Sequence, residues 1–213
     1  MEIKLDGLTL EGNLVVPKNA IGLVIFSHGS GSSRLSPRNN YVANVMQEKR
    51  MATLLFDLLT AAEDTLYQNR FNIDLITMRL IDVTQWVQTH KDLRGLPIGY
   101  FGASTGAASA LRAAAFFGKE IKAVVSRGGR PDLALGELTK VTAPTLLIVG
   151  GWDEEVIELN EKAYNKLQCI RKLEIIPNAS HLFEEPGKLE EVAHISATWF
   201  AKYLPQQKIE DDV

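Results

Sequence analysis

From residue 22 onward the chain alternates short, unbroken apolar runs with longer segments whose apolar residues recur at helical spacing, and few folds accept that pattern. Residues 22–27 and 52–56 are short, continuous apolar runs, as expected of strands buried on both faces, and residues 98–101, 121–126, 145–149 and 172–176 read as further strands. Between them lie candidate helices. One starts at Ser36-Pro37 and keeps Tyr41, Val42, Val45 and Met46 on one face. Another is marked by Ile76, Leu80, Val83 and Val87; a third is the small-residue stretch 107–117. Val156, Leu159, Ala163 and Leu167 share a fourth helical face, and Leu189, Val192, Ala193, Ser196, Trp199, Phe200 and Tyr203 form a broad stripe on a fifth. Residues 2–5 and 8–16 flank the turn pair Asp6-Gly7 as an antiparallel hairpin. The expected class is α/β: a mostly parallel sheet with an N-terminal antiparallel hairpin and helices on both faces.

No linker divides the sequence, so a single domain over residues 1–205 is expected, with 206–213 as a polar, acidic tail that frays. Lysines and arginines number 23 against 26 acidic residues, a net charge of −3, which offers nucleic acid no basic surface. No apolar run exceeds strand length, so no membrane association is expected. The start Met1-Glu2-Ile3-Lys4 lacks the basic, then apolar, character of a secretion signal, and Cys169 has no cysteine to pair with. A cytoplasmic protein is the expectation. Nothing in the sequence speaks to oligomeric state.

In sheets of this kind ligands bind beyond the C-terminal ends of the strands. The loop after strand 98–101 reads Gly102-Ala103-Ser104-Thr105-Gly106. A serine at such a strand-to-helix turn adopts a strained backbone that projects its hydroxyl, while small residues two before and two after let strand and helix approach. The competing reading is a glycine-rich turn with a solvated serine. A serine nucleophile needs a base held by an acid. His181 follows the last strand, and Asp153 follows strand 145–149 in Gly150-Gly151-Trp152-Asp153. Ser104, Asp153 and His181 thus come from three strand ends in the chain order of one hydrolase architecture. Asp132, Glu154 and Glu155 are weaker candidates for the acid. His90 and His194 read as surface residues and His28 as structural.

An oxyanion hole takes two amide donors: Thr105, which follows the nucleophile, and one from His28-Gly29-Ser30-Gly31-Ser32-Ser33, where Ser30 is preferred over Gly31. A dinucleotide reading of that loop fails, because Arg34 stands where the third glycine belongs. No cluster has metal-ligand spacing, and no metal or cofactor is called for.

These stretches resemble the α/β-hydrolase superfamily, in its small dienelactone-hydrolase-like branch. The likeness rests on the His28-Gly29 loop, the Ser104 turn, Asp153 and His181, and covers about residues 2 to 204. It implies that fold, without a cap domain because the interval after Ser126 is short. It also implies serine-based hydrolysis of a small ester or thioester. Dienelactone hydrolases carry a cysteine nucleophile where this chain has Ser104, and Cys169 falls in a turn that cannot substitute, so lactone hydrolysis is not implied.

The remaining expectations concern substrate. Arg34, Arg38, Arg127 and Arg130 follow strands at their C-terminal ends, and Arg34, Arg127 and Arg130 would suit an anionic group on a small-molecule substrate. The alternative is that they pair with Asp132, Glu63, Asp64 or Glu154 and fix loops. Trp152 and Phe183 neighbour Asp153 and His181 and would line a pocket or pack the loops, and residues 58–70 could wall one side. The rival functional classes are a non-catalytic binding protein of the same fold, and acyl transfer or perhydrolysis through the same three residues.

Overall fold

The computed structural model describes residues 1–205; the fraying expected of 206–213 lies outside the described residues. Strands β1 (Glu2–Leu5) and β2 (Leu8–Val15) form the hairpin, with Ile3 opposite Leu10. β2 then pairs antiparallel with β4 (Ala52–Phe56). β4, β3 (Leu23–Ser27), β5 (Ile98–Ala103), β6 (Ile121–Arg127), β7 (Thr145–Gly150) and β8 (Arg171–Ile176) are all parallel, giving the order β1-β2-β4-β3-β5-β6-β7-β8. The expected mostly parallel sheet with an antiparallel edge is the one observed.

The helices divide between the two faces because the strands alternate. In β3, Val24 and Phe26 join one core, and Leu23 and Ile25 the other. The first core takes α1 (Pro37–Glu48) and α6 (Lys188–Tyr203), through Val42, Met46, Val192, Ala197 and Phe200. The second takes α3 (Ile73–Thr89), α4 (Thr105–Phe117) and α5 (Glu154–Lys166), through Ile76, Leu80, Val83, Leu111 and Ala163. Phe200 is fully buried, and its ring fills the space above Gly99, where a Cβ would meet it at 2.7 Å. Truncating such a ring to alanine costs about 3–5 kcal/mol.

Local signals act where expected. Ser36 caps α1 by accepting from the Asn39 amide at 3.3 Å, with Pro37 in the first turn, and Asn72 caps α3 from Leu75 at 3.1 Å. Residues 58–70 are ordered more than the sequence suggested. Thr60 and Glu63 form a reciprocal capping box over the one-turn α2 (Ala61–Asp64), and a 3-10 turn follows at Tyr67–Phe71. Among the described residues no helix is long and apolar enough to cross a membrane.

Candidate active site

Ser104 sits between β5 and α4 with φ 51° and ψ −123°, a conformation L side chains rarely adopt. Close packing over-determines it. A Cβ on Gly106 would lie 2.1 Å from Ser27 O, and one on Gly102 would lie 2.5 Å from Ala107 Cα. β6 and the loop after it lock the turn: Ser104 N–H donates to Arg127 O at 3.2 Å, and Ser104 O accepts from Arg130 N–H at 3.0 Å. The hydroxyl does not cap α4. That helix has no acidic residue in its first turn, so its positive end is not neutralised locally.

His181 lies in the loop between β8 and α6, and its Nδ1 is 2.5 Å from Oδ2 of Asp153, the residue before α5. An ionised carboxylate can only accept, so Nδ1 carries a proton, and in the neutral ring the lone pair is on Nε2. The Asp153 side chain is 17% exposed and that of His181 38%, which shelters the acid and opens the imidazole. Gly128 packs against the ring, where a Cβ would come 3.4 Å from Cε1.

Ser104 and His181 line one cavity of about 570 Å³ at the C-terminal ends of the strands, together with Ser30, Thr105, Arg130 and Glu155. Its apolar walls are Phe71 and Ile73 from the far end of the 58–73 excursion, Leu133 after β6, and Val156 and Leu159 of α5. None of these five was singled out from sequence as a pocket residue. Val156 and Leu159 carried a signal, since they belong to the apolar face of α5. The first turns of that face meet the cavity, whereas Ala163 meets the core.

The oxyanion side differs from the simple expectation. Ser30 N–H donates to Thr105 Oγ1 at 3.0 Å, and Ser30 Oγ lies 2.7 Å from Arg70 O and 2.9 Å from Thr105 Oγ1. A carbonyl only accepts, so the Ser30 hydroxyl donates to Arg70 O and the Thr105 hydroxyl donates to Ser30 Oγ. A one-way chain results, running from the Ser30 amide through both hydroxyls to Arg70 O. The Ser30 amide therefore already has an acceptor, supplied by the other residue expected to hold the oxyanion.

His28 has the structural role expected. Its Nδ1–H donates to Gly29 O at 2.9 Å and its Nε2 accepts from Leu58 N–H at 3.1 Å. Burial pushes its pKa below the ordinary value, which keeps it neutral.

Of the four residues expected to contact substrate, only Arg130 lines this cavity, and Asp132 grips it through two bonds of 2.8 Å. Arg34 is turned to Asp57, which also takes its amide at 2.7 Å, and it lines a different cavity. Arg127 is 7% exposed and bonds Asn39 Oδ1 of α1 at 3.2 Å, while its Nε has no partner. Burial, with Arg38 nearby, pushes its pKa down to about 10. Being the last residue of β6, it shares a sheet face with Ala123 and Val125 and points into the core beneath α1 and α6 rather than upward. Trp152 is 61% exposed, because its amide binds Ala179 O at 3.0 Å and the turn throws the side chain outward. Phe183 is fully buried in the α1–α6 core. The loop-fixing alternative describes Arg130 with one of its expected partners, Asp132, whereas Arg34 pairs with Asp57 and Arg38 with Glu184 at 3.0 Å, carboxylates outside that expectation. Among the described residues no three His, Cys, Asp or Glu side chains converge as metal ligands.

No family model matches the chain. A dienelactone hydrolase from Anabaena variabilis superposes with a TM-score of 0.93 at 52% identity, over 96% of each chain. An α/β serine hydrolase without a lid from Xanthomonas campestris gives a TM-score of 0.75 at 20% identity, over 97% of this chain and 96% of that one. Two Mycobacterium tuberculosis proteins, both called "Putative phosphoribosyl transferase", are 55% identical over 193 residues. That match covers 91% of this chain but only 44% of theirs, so the chain spans less than half the length of these relatives.

Proposed function

Because the chain belongs to the α/β-hydrolase superfamily, in its dienelactone-hydrolase-like branch, we propose that it is a serine hydrolase that cleaves a small ester or thioester. The carrying observation is the strained Ser104 turn opening into the same cavity as an imidazole whose far nitrogen is held by Asp153.

In this reading Ser104 Oγ attacks the acyl carbon while His181 Nε2 takes its proton. Asp153 fixes the tautomer and stabilises the imidazolium that forms. The carbonyl oxygen, now negative, is held by the Thr105 amide at the start of α4 and by the Ser30 amide, which trades Thr105 Oγ1 for the stronger acceptor. His181 returns the proton to the leaving oxygen or sulfur as its bond to the acyl carbon breaks. Water, deprotonated by the same imidazole, then attacks the acyl-enzyme, and Ser104 leaves with the proton.

The walls bear on the substrate. Five apolar side chains face one arginine that Asp132 already neutralises, with Glu155 beside it. An ester uncharged around the reacting bond fits this lining better than an anionic one, which would have to draw Arg130 away from Asp132. The proteins called phosphoribosyl transferase have more than half of their length outside the segment shared with this chain.

The test is turnover of p-nitrophenyl acetate with trapping of the acyl-enzyme by rapid acid quench. The wild type is expected to gain one acetyl group on Ser104, and Ser104→Ala, folded, to gain none and to turn over at background rate. Equal turnover by the variant would refute the reading.

A further inference from the structure

Beside the catalytic cavity, across the oxyanion loop, lies a second cavity of about 270 Å³. Ser30 lines both. On the facing wall the boundary falls between adjacent residues, with Arg70 lining the second cavity and Phe71 the first. The bond from Ser30 Oγ to Arg70 O, 2.7 Å long, joins these two walls where the cavities meet. Gly29 lines the second cavity and also approaches Ser104, whose Cβ would lie 3.0 Å from a Cβ at that position. The second cavity is therefore one residue's thickness from the nucleophile, and the Ser30–Arg70 bond lies between it and the first.

Its lining is two-sided: a polar rim that includes Glu11, Asp57 and Asp64, and an apolar side that suits an uncharged, apolar group. Leu10, Leu58, Leu59 and Ile76 form its buried walls. Its two arginines are already matched, Arg34 by Asp57 and Arg70 by Asp64 at 2.8 Å, so neither calls for a ligand charge. The bond ends on a backbone carbonyl of the Tyr67–Phe71 turn, where Tyr67 and Phe71 are 69% and 50% exposed and the turn is tied to α2 through Arg70 to Asp64 and Asn69 to Glu63 O, each at 2.8 Å.

We propose that this cavity is an acyl-chain subsite, entered from the catalytic cavity when the Ser30–Arg70 bond opens, and that the enzyme thereby accepts medium-length aliphatic esters. The proposal rests on Ser104 being the acylated residue. Each methylene that leaves water for the subsite raises kcat/KM roughly fourfold, so the measurement is the ratio of kcat/KM for p-nitrophenyl octanoate to that for the acetate. Ala61 and Thr9 are exposed residues on the rim of the second cavity, so a tryptophan at either can fill its mouth without entering the core. Ala61→Trp and Thr9→Trp, each checked for fold by circular dichroism, are expected to lower the ratio about tenfold or more. Ser30→Ala keeps the amide but removes the Ser30–Arg70 bond, and is expected to raise the ratio several-fold whatever it does to the overall rate. Both esters are also quenched and mapped for acylation of Ser104. If Ser104 is acylated and the ratio is unchanged in both tryptophan variants, the subsite is refuted while the serine hydrolase stands. If neither ester acylates Ser104, both readings fall.

Discussion

The amide of Ser30 donates to the hydroxyl of Thr105 at 3.0 Å, so the two residues assigned to the oxyanion hold one another in the resting protein. The Thr105 hydroxyl then fixes where the Ser30 amide points, and a substrate oxygen needs only to replace or share that acceptor. Thr105→Val removes the hydroxyl at nearly constant shape. It is expected to lower kcat about ten- to a hundredfold, less than the loss of a whole donor, with KM changed little. Thr105→Ser is expected to restore most of the rate. Steady-state kinetics on p-nitrophenyl acetate distinguishes this from a packing role, which would leave the serine variant as impaired as the valine one.

The contact of 2.5 Å between His181 Nδ1 and Asp153 Oδ2 sets the tautomer. Asp153→Asn can offer an N–H to Nδ1 and leave the proton on Nε2, the wrong nitrogen for a base. The expected result is a loss of about ten-thousandfold in kcat with an unchanged circular dichroism spectrum. A loss below about tenfold would move the acid to another carboxylate, Glu155 being the one that lines the cavity.

Much of this was legible in the chain. Strand-length apolar runs and the Ser36-Pro37 start reflect requirements local to each element, and the Gly102 and Gly106 spacing marks a turn whose close packing admits no side chain. What failed depended on direction rather than type. Trp152 stands next to Asp153 in sequence yet points to solvent, because a bond to Ala179 on a distant loop orients the turn. Arg127 lies beyond strand 121–126 as read from sequence, but β6 runs one residue further, and strand alternation then puts Arg127 on the face of Ala123 and Val125. The Thr60-x-x-Glu63 capping box was present in the sequence, but one helical turn carries too little periodicity to reveal itself. Phe71 and Ile73 reach the cavity only because that excursion folds back, which their own residue types do not encode.

Arg127 is a buried cation whose one hydrogen-bond partner among the described residues is a neutral amide. Replacing an uncompensated buried charge by an apolar side chain of similar length is neutral or stabilising. Arg127→Met is expected to melt at the wild-type temperature or above, and to treat an acidic ester and its neutral analogue in the wild-type proportion. A fall of more than about 4 °C, roughly 2 kcal/mol for a chain of this length, would mean that the charge has a compensating partner. A selective loss on the acidic ester would restore a substrate role.

Burial holds the His28 imidazole below its ordinary value of 6.5. The unfolded chain therefore binds a proton in a range where the folded one does not. Stability is full above about pH 6.5 and is lost as pH falls toward the folded-state value. Denaturant titrations at about pH 7.5 and pH 5.5, above the carboxylate range, are expected to show a larger drop for the wild type than for His28→Asn. The variant starts lower because it disturbs the bonds to Gly29 and Leu58. Parallel losses in the two proteins would assign the pH dependence elsewhere.

The most direct measurement is peptide mapping by mass spectrometry after brief exposure of the native protein to a fluorophosphonate ester, which marks activated serines. The adduct is expected on the peptide carrying Ser104, at one per chain, and is expected to disappear in Ser104→Ala, in His181→Ala and after denaturation. An adduct on another serine, or labelling of Ser104 that survives loss of His181, would contradict a nucleophile activated by that imidazole.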